Sequence, residues 1–108
     1  MGFLKKFVTA DGTSIEYWTI GTCHIDYIAN YIEIEILGYA NKDIADAEGW
    51  QANYLMSGTV GNHLNGIPTS MNLEYFYDIV KTYDSIKFSY IGSARFQYTL
   101  NFKDAEMI

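Results

Sequence analysis

Residues 14–40 constrain the fold of this chain more than any other stretch, because their hydrophobic pattern changes phase at one glycine. Before Gly21, the large apolar side chains Trp18 and Ile20 occupy even positions, and after it the apolar side chains occupy odd positions. The odd-numbered group consists of Cys23, Ile25 and Tyr27. Successive side chains of a strand point to opposite faces, so a β-bulge at Gly21 and the next residue would bring both groups to one face. A strand that is apolar on both faces is the alternative.

The same stretch predicts a hairpin whose two faces separate apolar from charged side chains. The strands can pair outward from a tight turn at residues 29–30 or from a four-residue loop at residues 28–31. The predicted apolar pairs are Tyr27 with Ile32, Ile25 with Ile34, and Cys23 with Ile36. The pairs on the other face are Ile28 with Tyr31, Asp26 with Glu33, and His24 with Glu35. A shift of one residue would mix the faces, so the pattern predicts a defined register with Cys23 in the core.

Shorter elements are predicted on either side of this hairpin. Residues 3–9 are predicted to form a strand that ends at the turn signal Asp11-Gly12. The further elements are a helical turn over 41–49, a strand over 51–60 and a loop over 61–70. Asn41 or Asp43 can begin the helical turn, and Gly49 can end it.

From residue 71 the hydrophobic period changes to that of an α-helix. The spacing i, i+3, i+4, i+7 predicts an amphipathic helix near 72–83 whose apolar side is core. The residues with this spacing are Leu73, Phe76, Tyr77 and Val80. From Phe88 the period returns to two, and a loop at 92–94 would pair Phe88 with Tyr98 and Tyr90 with Phe96. The predicted fold class is α+β, one domain over 1–108 with a mainly antiparallel sheet of about five to six strands. Its hairpins are 15–40 and 86–103.

Charge and cysteine content argue against several classes of function. The net charge of −6 disfavours binding to nucleic acid and to anionic membranes, which attract basic proteins. Cys23 is the single cysteine, so an internal disulfide is impossible. Cys23 and His24 are adjacent in a strand and point to opposite faces, so they cannot form a catalytic pair. We therefore expect a protein that is not an enzyme and needs no cofactor. No signal peptide or membrane span is expected.

The polar face of the predicted hairpin is the candidate partner-contact face. Its residues are His24, Asp26, Glu33 and Glu35. Asp26 opposite Glu33 would be a like-charge pair, which destabilises a sheet slightly. A basic partner protein or a divalent cation could compensate for it, and on a solvated face water alone would screen it. We expect contact with a protein partner and no bound metal.

Four segments, in this order, resemble small proteins encoded among the tail genes of tailed phages that infect Gram-positive bacteria. They are EYWTI at 16–20, GYANKDIADA at 38–47, LEYFYDIVK at 73–81 and FKDAEMI at 102–108. In that family the closing segment follows the helix closely, whereas here residues 88–101 intervene. The resemblance implies a structural virion component of the phage tail or baseplate, with no catalytic residues. It further implies assembly in the host cytoplasm, location in the virion, and partners that are other virion proteins or copies of the same chain.

Two other functions fit the sequence. A small acidic phage protein could inhibit a host defence or regulatory protein by presenting carboxylates to a basic groove. The contact set would be Asp26, Glu33, Glu35, Asp43, Asp46 and Glu48. A carbohydrate-binding module is the second alternative, and it requires Trp18 and Trp50 to be exposed as a stacking platform.

Overall fold

The computed structural model describes residues 1–47, 53–66, 68 and 71–108, except for the side chains of residues 93–95. Within these residues the chain forms seven strands and two helices. The strands are β1 (Phe3–Val8), β2 (Ser14–Asp26), β3 (Tyr31–Tyr39), β4 (Met56–His63), β5 (Ile86–Tyr90), β6 (Ser93–Leu100) and β7 (Glu106–Met107). The helices are α1 (Lys42–Asp46) and α2 (Leu73–Lys81). The mainly antiparallel sheet is therefore confirmed, with more strands than predicted.

All seven strands belong to one antiparallel sheet that curls into a half-barrel. The order across the sheet is β6-β5-β4-β3-β2-β1-β7. Three contacts join β1 and β6, or residues just after them, although these strands are not neighbours in the sheet. The Phe7 and Tyr98 ring centroids lie 5.2 Å apart, the Ala10 amide donates to the Tyr98 hydroxyl, and the Lys5 ammonium donates to the Asn101 carbonyl. We call this line of contacts the seam.

Aromatic side chains fill the concave face of the sheet, and helix α2 adds Tyr77, Ile79 and Val80 to the same core. The Phe3 ring stacks on Phe102 with centroids 4.8 Å apart and meets Tyr77 edge-on at 5.0 Å. Trp18 is fully buried, and its indole N–H donates to the Lys5 carbonyl. Rings of this size dominate core energetics when their polar atoms find partners. The positions of the apolar side chains along the strands thus determine which face of the sheet carries the core.

The predicted amphipathic helix is confirmed as α2. Asn72 caps it by accepting a hydrogen bond from the Tyr75 amide, as expected for a residue before the first turn. Leu73, predicted to face the core, is exposed instead. The Tyr77 hydroxyl donates to the Met1 carbonyl and accepts from the Ile20 amide. Burial raises the pKa of Tyr77 to about 12, so this hydroxyl remains a neutral link between the helix, the N-terminus and β2.

The predicted strand over 51–60 and loop over 61–70 are wrong at their shared boundary. Strand β4 begins at Met56 and continues to His63, because its whole length pairs with β3. Gly61 and its neighbours have weak strand propensity, but pairing with a neighbouring strand outweighs it. A Cβ at position 61 would lie 1.7 Å from the Tyr31 hydroxyl oxygen, so a larger residue there would require the Tyr31 ring to move.

Other predictions have mixed outcomes. Strand β7 was not predicted, and it pairs with Phe3 and Leu4 of β1. Phe88 pairs with Tyr98 as predicted, but Tyr90 pairs with Ser93 and not with Phe96, because the register shifts after Ser89. Asn41 caps α1 as predicted. The predicted helix end at Gly49, the start of the predicted strand at residue 51 and part of the loop over 61–70 lie outside the described residues.

Candidate functional site

The β-bulge predicted in β2 is present, while the predicted hairpin register is wrong by two residues. The pairing between β2 and β3 shifts between Ile20 and Thr22. Beyond the bulge, the pairs are Thr22 with Glu35, Cys23 with Ile34, His24 with Glu33, Ile25 with Ile32, and Asp26 with Tyr31. A shift of two residues preserves the alternation of faces. The apolar and the charged side chains therefore still lie on opposite faces, although the predicted pairs are wrong.

The turn of this hairpin explains the shift. The Asp26 carboxylate accepts hydrogen bonds of 3.0 Å from the amides of Ile28 and Ala29. An aspartate that bonds the backbone two residues ahead favours a turn that starts at that aspartate. Residues 27–30 therefore form the turn, and Asn30 takes the positive φ of 52° that closes it. The Leu64 amide donates to the Asn30 carbonyl at 2.8 Å, which ties the turn to the end of β4.

The same turn holds two large apolar side chains in solvent. Ile28 is 98% exposed and Tyr27 is 68% exposed. Both predicted roles are therefore wrong: Tyr27 does not pair with Ile32 on the apolar face, and Ile28 does not pair with Tyr31. We name residues 27–30 the presenting turn.

The structure separates the charged residues that the predicted face would have paired. His24 stands opposite Glu33, whereas Asp26 stands opposite Tyr31 and its carboxylate is used within the presenting turn. The predicted like-charge pair of Asp26 and Glu33 is therefore wrong, and no cation is needed to compensate for it. In the part of the chain that the structure describes, no group of three or more His, Cys, Asp or Glu side chains could hold a metal ion.

Cys23 is exposed, although the sequence predicted a core position. Strand β1 pairs with β2 only at its first residues, from Ser14 to Trp18. Beyond the bulge, β2 is therefore an edge strand, and none of the described strands pairs with it on that side. Partial desolvation raises the pKa of the Cys23 thiol, which favours the protonated, weakly nucleophilic form.

The residues behind the two alternative functions lie on different elements of the fold. Asp43 and Asp46 are exposed on α1, where Asp46 forms an ion pair with Lys42. Glu48 and Trp50 lie outside the described residues. Trp18 is fully buried, so the predicted stacking platform that combines Trp18 with Trp50 is wrong.

Sequence reasoning missed the presenting turn, although a local signal for it exists. Asp26 followed four residues later by Asn30 places a side-chain acceptor at the start of the turn and a residue that tolerates positive φ at its end. The predicted pairing of apolar side chains, which places Tyr27 in a strand, conflicts with this signal. The other polar cluster that was missed joins the Tyr83 hydroxyl to the Gly61 carbonyl beside Tyr31 and His63.

Comparisons with protein-family models, with curated proteins and with solved structures give no match to this chain. Among the described residues, no helix has the length and apolar character needed to cross a membrane.

Proposed function

We propose that this chain is a non-enzymatic interaction protein that binds a protein partner through the presenting turn. The observation that carries the proposal is that Ile28 lies on a hydrogen-bonded backbone and exposes its side chain to solvent. Two hydrogen bonds to Asp26 and one between Leu64 and Asn30 hold the backbone, while the Ile28 side chain is 98% exposed.

The choice of side chains supports contact with a protein. Turns favour Gly, Asn, Asp and Ser for conformational reasons, and Asp26 and Asn30 already supply that chemistry at this turn. The exposed side chains of Tyr27 and Ile28 contribute little to the folded chain itself. A rigid apolar anchor loses little conformational entropy on binding, and anchors at protein interfaces insert such side chains into partner pockets.

We further propose that the partner is part of a phage tail or baseplate, so that the chain is a virion component. Support comes from the order of the four segments that resemble small tail-module proteins, and these span residues 16–20, 38–47, 73–81 and 102–108. Adjacent exposed apolar side chains such as Tyr27 and Ile28 are typical of protein contact sites. The partners would be other virion proteins or copies of this chain.

Mass spectrometry of purified virions tests the proposal when the chain is expressed from its own gene during infection. The wild-type chain is expected in the virion in stoichiometric amounts. Ile28→Ser is expected to reduce its incorporation strongly without changing its level in the infected cell. Ile91→Ser is a matched control, because Ile91 is 60% exposed and lies in the turn between β5 and β6, outside the presenting turn.

Two outcomes would contradict the proposal. A virion without this chain, together with a stable complex between the chain and a host protein, would favour the acidic inhibitor. Equal incorporation of Ile28→Ser and the wild type would show that the presenting turn is not the contact.

A further inference from the structure

The outer part of β2, over residues 22–26, has one open side. It pairs with β3 on one side, and none of the described strands pairs with it on the other. Most of its side chains reach solvent: Thr22, Cys23, His24 and Asp26 are exposed, and Ile25 is half-buried. We name the backbone of residues 22–26, on the side away from β3, the open edge.

The hydrogen bond of Ile20 shows which backbone groups point to the open edge. The Ile20 amide donates to the Tyr77 hydroxyl at 3.1 Å, so it points away from β3. Backbone groups alternate between the two sides of a strand, and the bulge inserts one extra residue directly after Ile20. The outward-pointing positions therefore change from even to odd numbers, and the N–H and C=O groups of Cys23 and Ile25 point to the open edge.

Side chains satisfy backbone groups next to the open edge and across from it. Tyr77 accepts from the Ile20 amide just before the open edge begins. On the far side of the same three strands, the Tyr83 hydroxyl donates to the Gly61 carbonyl of β4 at 2.6 Å. Residues 22–26 include neither lysine nor proline, the residues that natural proteins often place on edge strands to prevent pairing with another chain. A row of N–H and C=O groups of this kind is matched by the backbone of another extended segment.

A cavity lies where the open edge begins, and we name it the end cavity. It has a volume of about 220 Å³ and is lined by residues of α1, α2, the bulge and the N-terminus. Its apolar lining includes Met1, Ile20, Ala45 and Leu73. Met1 and Leu73 are both exposed to solvent. The end cavity is therefore an open apolar site at the end of an unpaired strand.

We infer that an extended segment of a protein partner adds a strand at the open edge and inserts an aliphatic side chain into the end cavity. This inference rests on the proposed function, since it describes a segment of the protein partner, but it uses residues outside the presenting turn. In strand addition, main-chain hydrogen bonds give affinity and side-chain pockets give specificity. Cys23 and Ile25 lie on the core side of β2, opposite Ile34 and Ile32. The segment should therefore alternate apolar and polar residues, with its apolar side chains on the core side.

Fluorescence anisotropy with a labelled peptide tests strand addition to the purified full-length chain. The probe is a peptide of about seven residues, the length of an ordinary strand. It alternates threonine with valine and has leucine at both ends, so that pairing in either direction brings a leucine to the end cavity. Saturable binding is expected. A probe that does not bind at millimolar concentration would overturn the inference.

Two methylated forms of the probe test whether the contact is made by its backbone. One form carries N-methyl groups on its threonine amides, and the other carries them on its valine amides. Because the amides of successive residues in a strand point to opposite sides, only one form loses its hydrogen bonds to the open edge. Binding of that form is expected to weaken by at least about tenfold, while the other form binds as the probe does. Equal binding of the two methylated forms would overturn the inference.

A proline variant tests the open edge from the side of the chain. Cys23→Pro removes an N–H group that points to the open edge, and proline is tolerated on edge strands where the N–H faces solvent. Binding of the probe is expected to weaken by at least about tenfold. Cys23→Val changes the side chain but keeps the N–H, so it should bind the probe as the wild type does. Thermal melting shows whether Cys23→Pro folds, and if it does not, the methylated probes decide the question with the wild-type chain.

A variant of Leu73 tests the end cavity. Leu73→Ser should weaken binding of the probe several-fold, because the leucine of the probe loses an apolar contact. A second probe with serine at both ends should bind Leu73→Ser and the wild type equally. Ile91→Ser is the matched control, since Ile91 is also exposed but lies in the turn between β5 and β6. Equal effects of Leu73→Ser and Ile91→Ser would overturn the role of the end cavity.

The outcomes distinguish this inference from the proposed function. Ile28→Ser should bind the probe as the wild type does, because Ile28 lies outside the open edge. Probe binding combined with a virion that lacks the chain would support the inference and contradict the proposed function. No probe binding, combined with poor incorporation of Ile28→Ser into virions, would overturn the inference alone. A dimer in sedimentation equilibrium that Cys23→Pro converts to a monomer would show that a second copy occupies the open edge, and it would also overturn the inference.

Discussion

Strand β2 has an aspartate-based turn near each end, and the two turns differ in what their aspartates bind. The turn between β1 and β2 is built around Asp11, and the presenting turn is built around Asp26. Asp11 accepts hydrogen bonds from the Thr9 hydroxyl, the Thr13 amide and the Tyr90 hydroxyl. Among the described residues, the donors to the Asp26 carboxylate are the two amides of its own turn. One carboxylate therefore joins distant parts of the sheet, and the other orders a single turn.

The two turns also differ in the large apolar side chains that they expose to solvent. The Asp11 turn contains Gly12, with φ of 89°, and exposes no large apolar side chain. The presenting turn exposes Tyr27 and Ile28. A turn that stabilises the fold needs partners within the chain, whereas a turn that binds another molecule needs an ordered backbone and free side chains.

The largest expected effect comes from removing the link between the Asp11 turn and β5. The Tyr90 hydroxyl lies 2.9 Å from both Asp11 Oδ2 and Thr13 Oγ1. Tyr90→Phe should lower the free energy of unfolding by about 1–3 kcal/mol, because it removes the hydroxyl that bonds to a charged carboxylate and to the Thr13 hydroxyl. Urea denaturation measures this change. Tyr27→Phe makes the same substitution at the presenting turn and should have almost no effect. A comparable loss in both variants would contradict the distinction.

A somewhat smaller effect is expected from the backbone of the Asp11 turn. Gly12 has a positive φ, and no heavy atom lies within 4 Å of the position that a Cβ would take there, so an added methyl group meets no neighbour. Gly12→Ala should therefore destabilise the chain only through its left-handed backbone, by about 1–2 kcal/mol. Asn30→Gly at the presenting turn should change stability by a few tenths of a kcal/mol at most, since both residues tolerate positive φ. A large loss for Asn30→Gly would show that the Asn30 side chain stabilises that turn.

Acid should weaken the Asp11 turn over a defined pH range. The pKa of Asp11 falls from 3.8 to about 2 because the Thr9 hydroxyl, then the Thr13 amide and the Tyr90 hydroxyl, donate hydrogen bonds to its carboxylate. The unfolded chain therefore binds more protons than the folded chain in this range. Stabilisation by Asp11 is complete above the unfolded pKa of 3.8 and is lost as the pH falls toward about 2. Thermal melts of the wild type and Asp11→Asn should converge over that range. A stability difference that is constant with pH would contradict this account.

The smallest effect on stability is expected at the presenting turn itself. Ile28→Ser should change the free energy of unfolding by no more than about 0.5 kcal/mol, because the side chain is 98% exposed and substitutions at exposed positions usually have effects of this size. Calorimetric melting of the purified protein measures it. A loss of more than about 1 kcal/mol would indicate that Ile28 contributes to the fold, which would remove the reason to assign it a binding role.

Sequence patterns correctly predicted the features that depend on residues close together in the chain. They also predicted how side chains alternate between the two faces of the sheet. Gly21 marked the bulge, the spacing of Tyr77 and Val80 marked helix α2, and Phe88 was placed opposite Tyr98 as the structure has it. Each of these follows from neighbours in the chain or from a period that repeats several times. Strand β7 has only two residues, and so short a segment has no period to detect.

The candidate site was predicted less well, because two sequence signals conflict there. Apolar pairing favoured Tyr27 opposite Ile32, whereas the Asp26 carboxylate favours a turn that already includes Tyr27. A two-residue shift leaves the apolar and polar faces intact, so face patterning cannot decide between the registers. The exposure of Cys23 depends on where β1 stops pairing with β2, and that depends on residues far away in sequence.

The bulge after Ile20 has an evolutionary consequence. Residues of β2 before it pack in the aromatic core around Trp18. Those after it, from Thr22 to Asp26, pair with β3 alone among the described strands and lead into the presenting turn. The bulge compensates for the change in side-chain alternation along β2. Mutations in the outer segment, from Thr22 to Asp26, therefore need not keep the alternation of the residues before Gly21. Descendants of this chain could therefore acquire new recognition specificities by replacing the outer hairpin, while the ancestral interior is inherited unchanged.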